Sequence, residues 1–545
     1  MSGHRFSLIF SAVLLAHGAA QAFTFETEDG LRGSFDSTVS VGTGIRVKDP
    51  SPGLIAGGNS GSPAGGLSAV SGLGDQGDLN TKKGQPFTTY LKGSHELVLK
   101  PGDDLTFMGR ITWLKDVSAT QTSGYRSANA PADLPSDNLS YEARKALRVQ
   151  TRVLDLWVSK SFDLGEQRAR LRVGNQVVSW GESLFIPGGI NATNALDINR
   201  LSQPGTQLKE AVLPAPMVSL ATGLGPELNF EGYVQAAWNP NFMPPTGGYW
   251  STADGLGAGH QAYGLSTVTA KNSGQWGLSL RYQPTNTRLN LGLYAMNYHD
   301  KAPQFSSNIN GSGLVGWTYA QNRRLYGVSA NFPLGDWAIG TELSYRPSDA
   351  VALNSSVDGC AGNGGNCWVD EKRYQWHLTG IYSQTPSNAK PILDFLGADT
   401  GTFMGELVLI RYPGLKSSYN GELVSAGGYN WGQQYSASAA QIAAGTRNSS
   451  GISLDYSWVY DGKLIKGWQV VPEVAYFRAL SGRTPNTAAT FMQGASSINL
   501  IVSFIQNPAT WQFGVNYAAF WGGKTVYDQP LRDRNFVGVY ASRNF

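Results

Sequence analysis

Charged side chains recur at every second position in several apolar segments of the sequence. Arg168, Arg170 and Arg172 alternate with small or apolar residues in the run QRARLRVGNQ. Successive side chains of a β-strand point to opposite faces, so three guanidinium groups would line one side of a single strand. Carboxylates at comparable positions elsewhere could pair with this row or face it across water: Asp155, Glu231, Glu342, Asp455 and Glu473.

Two interpretations of these charges stay open at the level of sequence. They could be ordinary charges of a water-filled interior, solvated and mutually neutralising. They could instead set up a transverse field at a constriction, which would orient a polar or amphipathic solute. In both cases the expected chemistry is binding or passage of a solute.

The sequence contains no arrangement typical of an enzyme. Beyond residue 22 the only histidines are His95, His260, His299 and His377, and no two have the spacing of zinc ligands. There is no G-x-S-x-G motif for a nucleophilic serine. We therefore expect no enzyme activity, no metal site and no cofactor. With 42 basic and 39 acidic residues and a net charge of +3, the chain also gives no indication of a nucleic-acid partner.

The first 22 residues have the order of a secretory signal. Arg5 precedes an apolar stretch at 6–16, and Ala20-Gln21-Ala22 forms a small-residue cleavage site. We predict that residues 1–22 are removed and that the mature chain begins at Phe23. An exported chain meets an oxidising compartment, so we predict a disulfide between Cys360 and Cys367. A metal pair is the alternative, but no histidine lies near the two cysteines.

The elements that carry these residues show the period of two that is typical of β-strands. Short joints such as 334–336 and 506–510 alternate with long stretches rich in Gly, Ser and Asn. Membrane barrels have the same asymmetry, with short periplasmic turns and longer external loops. The clearest strand segments are 228–238, 337–346, 452–460 and 511–521. The long stretches are 49–83, 239–274, 300–323, 348–371 and 412–448.

A soluble β-sandwich also alternates apolar and polar residues, but further features favour a membrane barrel. Trp511 and Trp521 share one face of a strand and lie roughly 33 Å apart along it. Because barrel strands are tilted, this length spans roughly 23 Å of membrane depth, which is close to the height of the apolar band of a membrane barrel. Tryptophans stand at the ends of other apolar faces, as at Trp238 and Trp276, and no domain boundary interrupts the pattern. The last strand ends at Phe545, which is similar to the assembly signal of outer-membrane barrels.

The predicted fold is therefore all-β. We expect residues 23–545 to form a single antiparallel transmembrane β-barrel of about sixteen strands, within a range of about fourteen to eighteen. Its expected location is the outer membrane of a Gram-negative bacterium, with outer-membrane lipid as its surroundings.

The segment 181–215 interrupts the strand pattern and is too apolar for a freely solvated loop. It could fold into the barrel as a gate, or it could pack on another surface as a contact site. We predict the inward fold. The candidate gate residues are Glu182, Phe185, Ile186, Ile190 and Leu196.

The runs at 35–47, 170–218, 324–347 and 532–545 together resemble an uncharacterised family of proteobacterial outer-membrane proteins that is described only as a domain of unknown function. The resemblance implies a barrel and no catalytic residues. Members are often encoded beside a periplasmic carrier-like family and an inner-membrane exporter of the resistance-nodulation-division type. By association, this context implies traffic of hydrophobic or lipid-like molecules, with the carrier and the exporter as partners.

Three functional hypotheses follow. The first is an outer-membrane channel for small hydrophobic or amphipathic molecules, acting as the outer part of an envelope export system. The second is a general hydrophilic porin, which the mixed charges would suit. The third is a surface-interaction protein that acts through its external loops.

Overall fold

The structure is a computed structural model that describes residues 23–28, 30–55, 76–126, 130–355, 359–426, 443–525 and 528–545. The predicted signal peptide, residues 1–22, lies outside this part of the chain. No helix among the described residues has the length and apolar character needed to cross a membrane.

Eighteen antiparallel strands form a closed barrel. The strands, in chain order, are β1 (Leu31–Arg46), β2 (Pro86–Pro101), β3 (Leu105–Asp116), β4 (Val149–Leu164), β5 (Gln167–Gln176), β6 (Ala215–Gly223), β7 (Leu228–Gln235), β8 (Gln275–Tyr282), β9 (Asn290–Tyr298), β10 (Arg323–Leu334), β11 (Trp337–Ala352), β12 (Trp368–Gln384), β13 (Thr400–Arg411), β14 (Asn448–Asp461), β15 (Trp468–Ser481), β16 (Ala495–Gln506), β17 (Trp511–Gly522) and β18 (Phe536–Asn544).

The barrel closes where β18 pairs with β1, from Thr38 opposite Asn544 to Arg46 opposite Phe536. Beyond this ladder the backbone of Phe545 exchanges two hydrogen bonds with Ser37, at 2.7 and 3.2 Å. The predicted antiparallel transmembrane barrel is confirmed. Its strand number lies at the upper end of the predicted range, two above the favoured number of sixteen.

Short elements occupy the connections between barrel strands. The additional strands are Phe23–Glu26, which pairs with β1, and Ala195–Leu196, Val212–Leu213, Ser266–Thr267, Gln304–Ser306, Gly316–Thr318, Ser418–Tyr419 and Glu422–Leu423. The helices and 3-10 turns are Pro52–Leu54, Gln76–Leu79, Tyr141–Arg148, Ile198–Leu201, Leu208–Ala211, His260–Tyr263, Ile309–Gly311, Ala361–Asn363 and Lys390–Leu396.

The two ends of the barrel differ as the sequence predicts. At one end, joints such as 165–166 and 335–336 connect neighbouring strands directly. At the other end lie the long connections, among them 47–85, 117–148 and 236–274. Cys360 and Cys367 form a disulfide in the connection between β11 and β12, with their Cα atoms 5.3 Å apart.

The outer face of the barrel is apolar and exposed. On β17, Phe513, Val515, Tyr517 and Trp521 are each 38–46% exposed, and the alternate residues Gly514, Asn516 and Ala518 face the interior. A closed ring of strands leaves no unpaired backbone in hydrocarbon, and an apolar outer face suits lipid contact. The protein is thus a β-barrel of the Gram-negative outer membrane.

The prediction that Trp238 stands at the end of a lipid-facing strand face is wrong. Strand β7 ends at Gln235, so Trp238 belongs to the following connection and not to the lipid-facing surface. Its ring packs against that of Tyr319, with centroids 4.5 Å apart, and it is buried. Trp276 does lie on a strand and is exposed.

Candidate functional site

The connection between β5 and β6, residues 177–214, is here named the crossing segment. It contains the predicted gate region and lies against side chains of the inner barrel face on two opposite sides. Near its start it contacts β11, β12 and β13, and near its end it contacts β2. Strands β2 and β11 are halfway round the ring from each other, so the segment crosses the lumen.

Glu406 of β13 is the first anchor of the crossing segment. Its buried carboxylate accepts backbone N–H groups from Phe185 at 2.6 Å and Ile186 at 2.8 Å, and a longer one from Leu184 at 3.4 Å. The ring nitrogen Nδ1 of His377 on β12 lies 2.6 Å from the same carboxylate. One side chain therefore holds three successive residues of the segment.

Glu342 of β11 is the second anchor. It accepts the backbone N–H of Glu182 at 2.6 Å and that of Ile190 at 2.8 Å. Gly189 lies so close to this carboxylate that an added Cβ would overlap it, which explains a glycine at this position. Arg346, four residues further along β11, donates to the carbonyl of Gly189 at 2.9 Å.

The far end of the crossing segment is held by β2. The ammonium group of Lys92 lies 2.9 Å from the carboxylate of Glu210 and donates to the carbonyl of Gly205 at 2.8 Å. The hydroxyl of Tyr90 donates to the carbonyl of Pro204 at 2.6 Å. All of these strand side chains are buried, so the segment is fixed to both walls.

The candidate gate residues differ in their surroundings. The side chain of Glu182 accepts a hydrogen bond from Asn331 at 2.9 Å. Ile186 and Ile190 are buried in two separate apolar clusters, whereas Phe185 is 40% exposed. The backbone N–H of Leu196 donates to Asn241 at 2.8 Å. These residues lie within the crossing segment, and their role as a gate stays a prediction.

The arginine row of β5 has local partners. Arg168, at the turn end, forms ion pairs with Asp104 and with Asp163, the latter at 3.5 Å. The guanidinium of Arg172 lies 4.1 Å from the centre of the Trp157 ring. Within the described residues no member of the row lies within 4 Å of any of the five predicted carboxylates.

Three of the five carboxylates have separate partners, and the other two lie together. Asp155 pairs with Arg110 at 2.7 Å, Glu231 accepts the indole N–H of Trp180 at 3.0 Å, and Glu342 holds the crossing segment. Asp455 on β14 and Glu473 on β15 are hydrogen-bonded to each other. Because β14 is halfway round the ring from β5, this acidic pair lies on the opposite wall of the barrel from the arginine row.

Two joined cavities lie between the crossing segment and the wall formed by β14–β18. The outer one, of about 340 Å³, is mainly apolar and includes Met243, Trp250, Leu256, Phe477, Met492 and Phe520. The inner one, of about 570 Å³, has a mixed lining that includes Glu473, Asn499, Gln512, Asn516 and Tyr540. They share six lining residues: Ser202, Trp250, Phe477, Ser497, Phe520 and Leu531.

A third cavity, of about 500 Å³, lies on the other side of the barrel, along β5–β9. Its lining is polar and includes Arg168, Arg170, Glu231, Ser279 and Arg281. The interior thus has an apolar-to-mixed region beside β14–β18 and a charged region beside β5–β9.

A buried charge cluster joins three external connections above the first two cavities. Arg46 lies 2.6 Å from Asp78 and 3.4 Å from Asp533, and Arg534 lies 3.4 Å from Asp78. Both guanidinium groups lie over the ring of Tyr249. Burial, and next the nearby charge of Asp78, raise the pKa of Asp533 to about 7.

A family model described as "Protein of unknown function (DUF1302)" matches residues 4–545. The chain belongs to the DUF1302 family. No curated protein matches it significantly. Among solved structures, Acinetobacter baumannii OccAB1 is 11% identical with a TM-score of 0.43, covering 97% of this chain and 99% of that chain. The structure of Pseudomonas aeruginosa OpdK with vanillate is 10% identical with a TM-score of 0.41, covering 94% of this chain and 98% of that chain.

Sequence reasoning named Glu342 only as an inward-facing charge and missed the other anchors that this DUF1302 barrel uses. Glu406 is a lone carboxylate in the otherwise apolar run TFMGELVLI, and such an isolated charge was the available signal. Lys92 and Glu210 gave no signal, because their pairing depends on the path of the crossing segment. In the part of the chain that the structure describes, no three His, Cys, Asp or Glu side chains form a group that could hold a metal ion.

The arginine row offers a test of the transverse-field interpretation. Replacing Arg170 and Arg172 with alanine should shift the reversal potential of this DUF1302 barrel towards cation preference in a planar bilayer under a salt gradient, because two positive charges leave the lumen wall. Arg168→Ala is the matched control, since its charge is paired at the turn, and should shift the potential less. An unchanged potential in the double variant would contradict the interpretation.

Proposed function

We propose that this protein is an outer-membrane channel for small hydrophobic or amphipathic, lipid-like molecules, with the crossing segment as its constriction. The observation that carries this proposal is the pair of joined cavities beside β14–β18. Their lining changes from apolar on the external side to mixed further in, which suits a solute with an apolar body and a polar end.

The crossing segment forms one wall of this route. Ile198 and Ser202 line the outer cavity, and residues 201–207 line the inner one. A shift of the segment would therefore widen both cavities together. The periplasmic carrier and the inner-membrane exporter implied by the family resemblance are proposed as the partners that exchange solute at the end with the short turns.

The proposal predicts which obstruction stops transport. Ser497 lines both joined cavities, so Ser497→Trp should abolish most of the entry of a neutral amphipathic dye, N-phenyl-1-naphthylamine, into Gram-negative cells that lack their own porins. Ser279→Trp is the matched control, because Ser279 lines only the charged cavity beside β5–β9. Dye entry that is equal in the two variants would contradict the proposed route.

A general hydrophilic porin is the second candidate, and the charged cavity beside β5–β9 favours it. In that case Ser279→Trp should reduce liposome swelling in arabinose and Ser497→Trp should not. The third hypothesis, action through the external loops, predicts that both tryptophan variants keep full activity and that cutting the loop 239–274 removes it.

A further inference from the structure

The joined cavities beside β14–β18 are lined by acidic but not by basic side chains. The charged lining residues are Glu210, Glu473 and Asp528, and no lysine or arginine is among the described residues that line either cavity. This differs from the charged cavity on the other side of the barrel, which Arg168, Arg170 and Arg281 line.

Two of the three acidic groups are neutralised by partners behind the cavity wall. Asp528 forms a two-point ion pair with Arg483, at 2.5 and 2.8 Å. Glu210 lies 2.9 Å from the ammonium group of Lys92. These pairs leave Glu473 as the charge that the cavity itself presents.

Glu473 is hydrogen-bonded to Asp455 on the neighbouring strand. A hydrogen bond between two carboxyl groups requires that one of them keeps its proton, because an ionised carboxylate has no donor. The pair therefore carries one negative charge. No salt bridge involves either residue in the described part of the chain, so this charge is not compensated by a nearby cation.

Trp250 supplies an independent sign of a ligand at the junction of the two cavities. It lines both of them and is only 9% exposed, yet its indole N–H has no hydrogen-bond partner among the described residues. The side-chain oxygens of Gln203 and Thr206, which line the inner cavity, also lack partners in the part of the chain that the structure describes. Buried polar groups are normally satisfied, so these atoms mark positions for a solute's polar group. A hydroxyl oxygen could accept from Trp250, and a hydroxyl or an amine could donate to Gln203 or Thr206.

We infer that the joined cavities select neutral or cationic amphipaths, molecules with an apolar body and a hydroxyl or amine, and disfavour carboxylates and phosphates. The inference rests on the proposed function and names its substrate class. An anionic head group in the inner cavity would meet the uncompensated charge of the Asp455–Glu473 pair in a partly desolvated space, where repulsion is stronger than in water. An amine would be attracted to the same pair, and a hydroxyl can bond to Gln203 or Thr206.

Three ligands of equal chain length test this selectivity. Full-length protein in amphipol is loaded with 12-(dansylamino)dodecylamine, a labelled amine that keeps a free amino group, and unlabelled dodecylamine, dodecanol and dodecanoate compete for its site. We expect dodecylamine and dodecanol to displace the label at concentrations at least about tenfold below that of dodecanoate. If dodecanoate competes equally or better, the inference is wrong while the proposed channel stands. If the labelled amine shows no saturable binding, the proposed function fails as well.

Amide variants connect the selectivity to the acidic pair. The double variant Asp455→Asn with Glu473→Gln keeps the size and the hydrogen bond but removes the charge, so dodecylamine should lose most of its advantage over dodecanoate. Asp116→Asn is the control, since this buried carboxylate of β3 lines neither cavity. An unchanged preference in the double variant, with folding verified by gel migration before and after heating, would overturn the inference.

Discussion

Replacing Glu406 with alanine should raise the conductance of the protein in a planar bilayer severalfold. The change leaves the backbone N–H groups of residues 184–186 without this acceptor and removes the partner of the Nδ1 atom of His377. Each hydrogen bond to a charged acceptor contributes about 1.5–3 kcal/mol. Loss of this carboxylate should therefore shift the equilibrium of the crossing segment from docked to released by at least about tenfold.

Asp116→Ala is the matched control for this experiment. Asp116 is also buried and also accepts three backbone N–H groups, from Thr89 at 3.1 Å and from Ser118 and Ala119 at 2.9 Å, but it holds an external connection. It should leave conductance near that of the unaltered protein. Both variants should keep the barrel, whose strands hydrogen-bond to each other, and unheated gel migration checks this. Equal conductance in the two variants would show that Glu406 does not hold the constriction.

The alternation of polar and apolar residues predicted those barrel strands whose inner face is polar. On β17 the sequence separates Phe513, Val515 and Tyr517 from Gln512 and Asn516, and the structure has the first three on the lipid-facing side. The pattern weakens under the crossing segment. There the inner face is itself apolar, as at Met217 on β6 and at Val408 and Ile410 on β13, all buried. Such strands lose their alternation, so the number of strands could not be counted from the sequence.

The site was less predictable than the fold. The apolar residues of the crossing segment indicated that it needs a buried surface, and its contacts with the inner face agree with an inward path. Its anchors, Glu342 and Glu406, lie more than 150 residues further along the chain. In the sequence Glu342 looks like any other inward-facing polar residue, and the isolated charge of Glu406 does not indicate what it binds. Only the register of the closed sheet brings them to one side of the lumen.

Replacing Arg46 with alanine should detach the external connections that cover the joined cavities. Arg46 is fully buried, pairs with Asp78 and Asp533, and donates to the carbonyls of Asp78 and Thr81 at 2.9 and 2.7 Å. Removing one partner of a buried ion pair costs about 3–5 kcal/mol. The expected result is much faster trypsin cleavage of the loops in intact barrels. Arg32→Ala, which removes an exposed pair with Asp103 worth at most about 1 kcal/mol, is the control.

The effect of Arg46→Ala should depend on pH. Because the pKa of Asp533 is raised to about 7, this carboxyl is protonated in the docked loops at about pH 5 and ionised at about pH 8, so its contribution to docking falls as pH rises through that range. At low pH Asp533 is uncharged, so in the variant the charges of Arg534 and Asp78 still neutralise each other. At high pH two carboxylates face one guanidinium, leaving a buried negative charge. Cleavage should therefore exceed that of the unaltered protein far more at pH 8 than at pH 5, whereas a pH-independent difference would show that the cluster does not set loop docking.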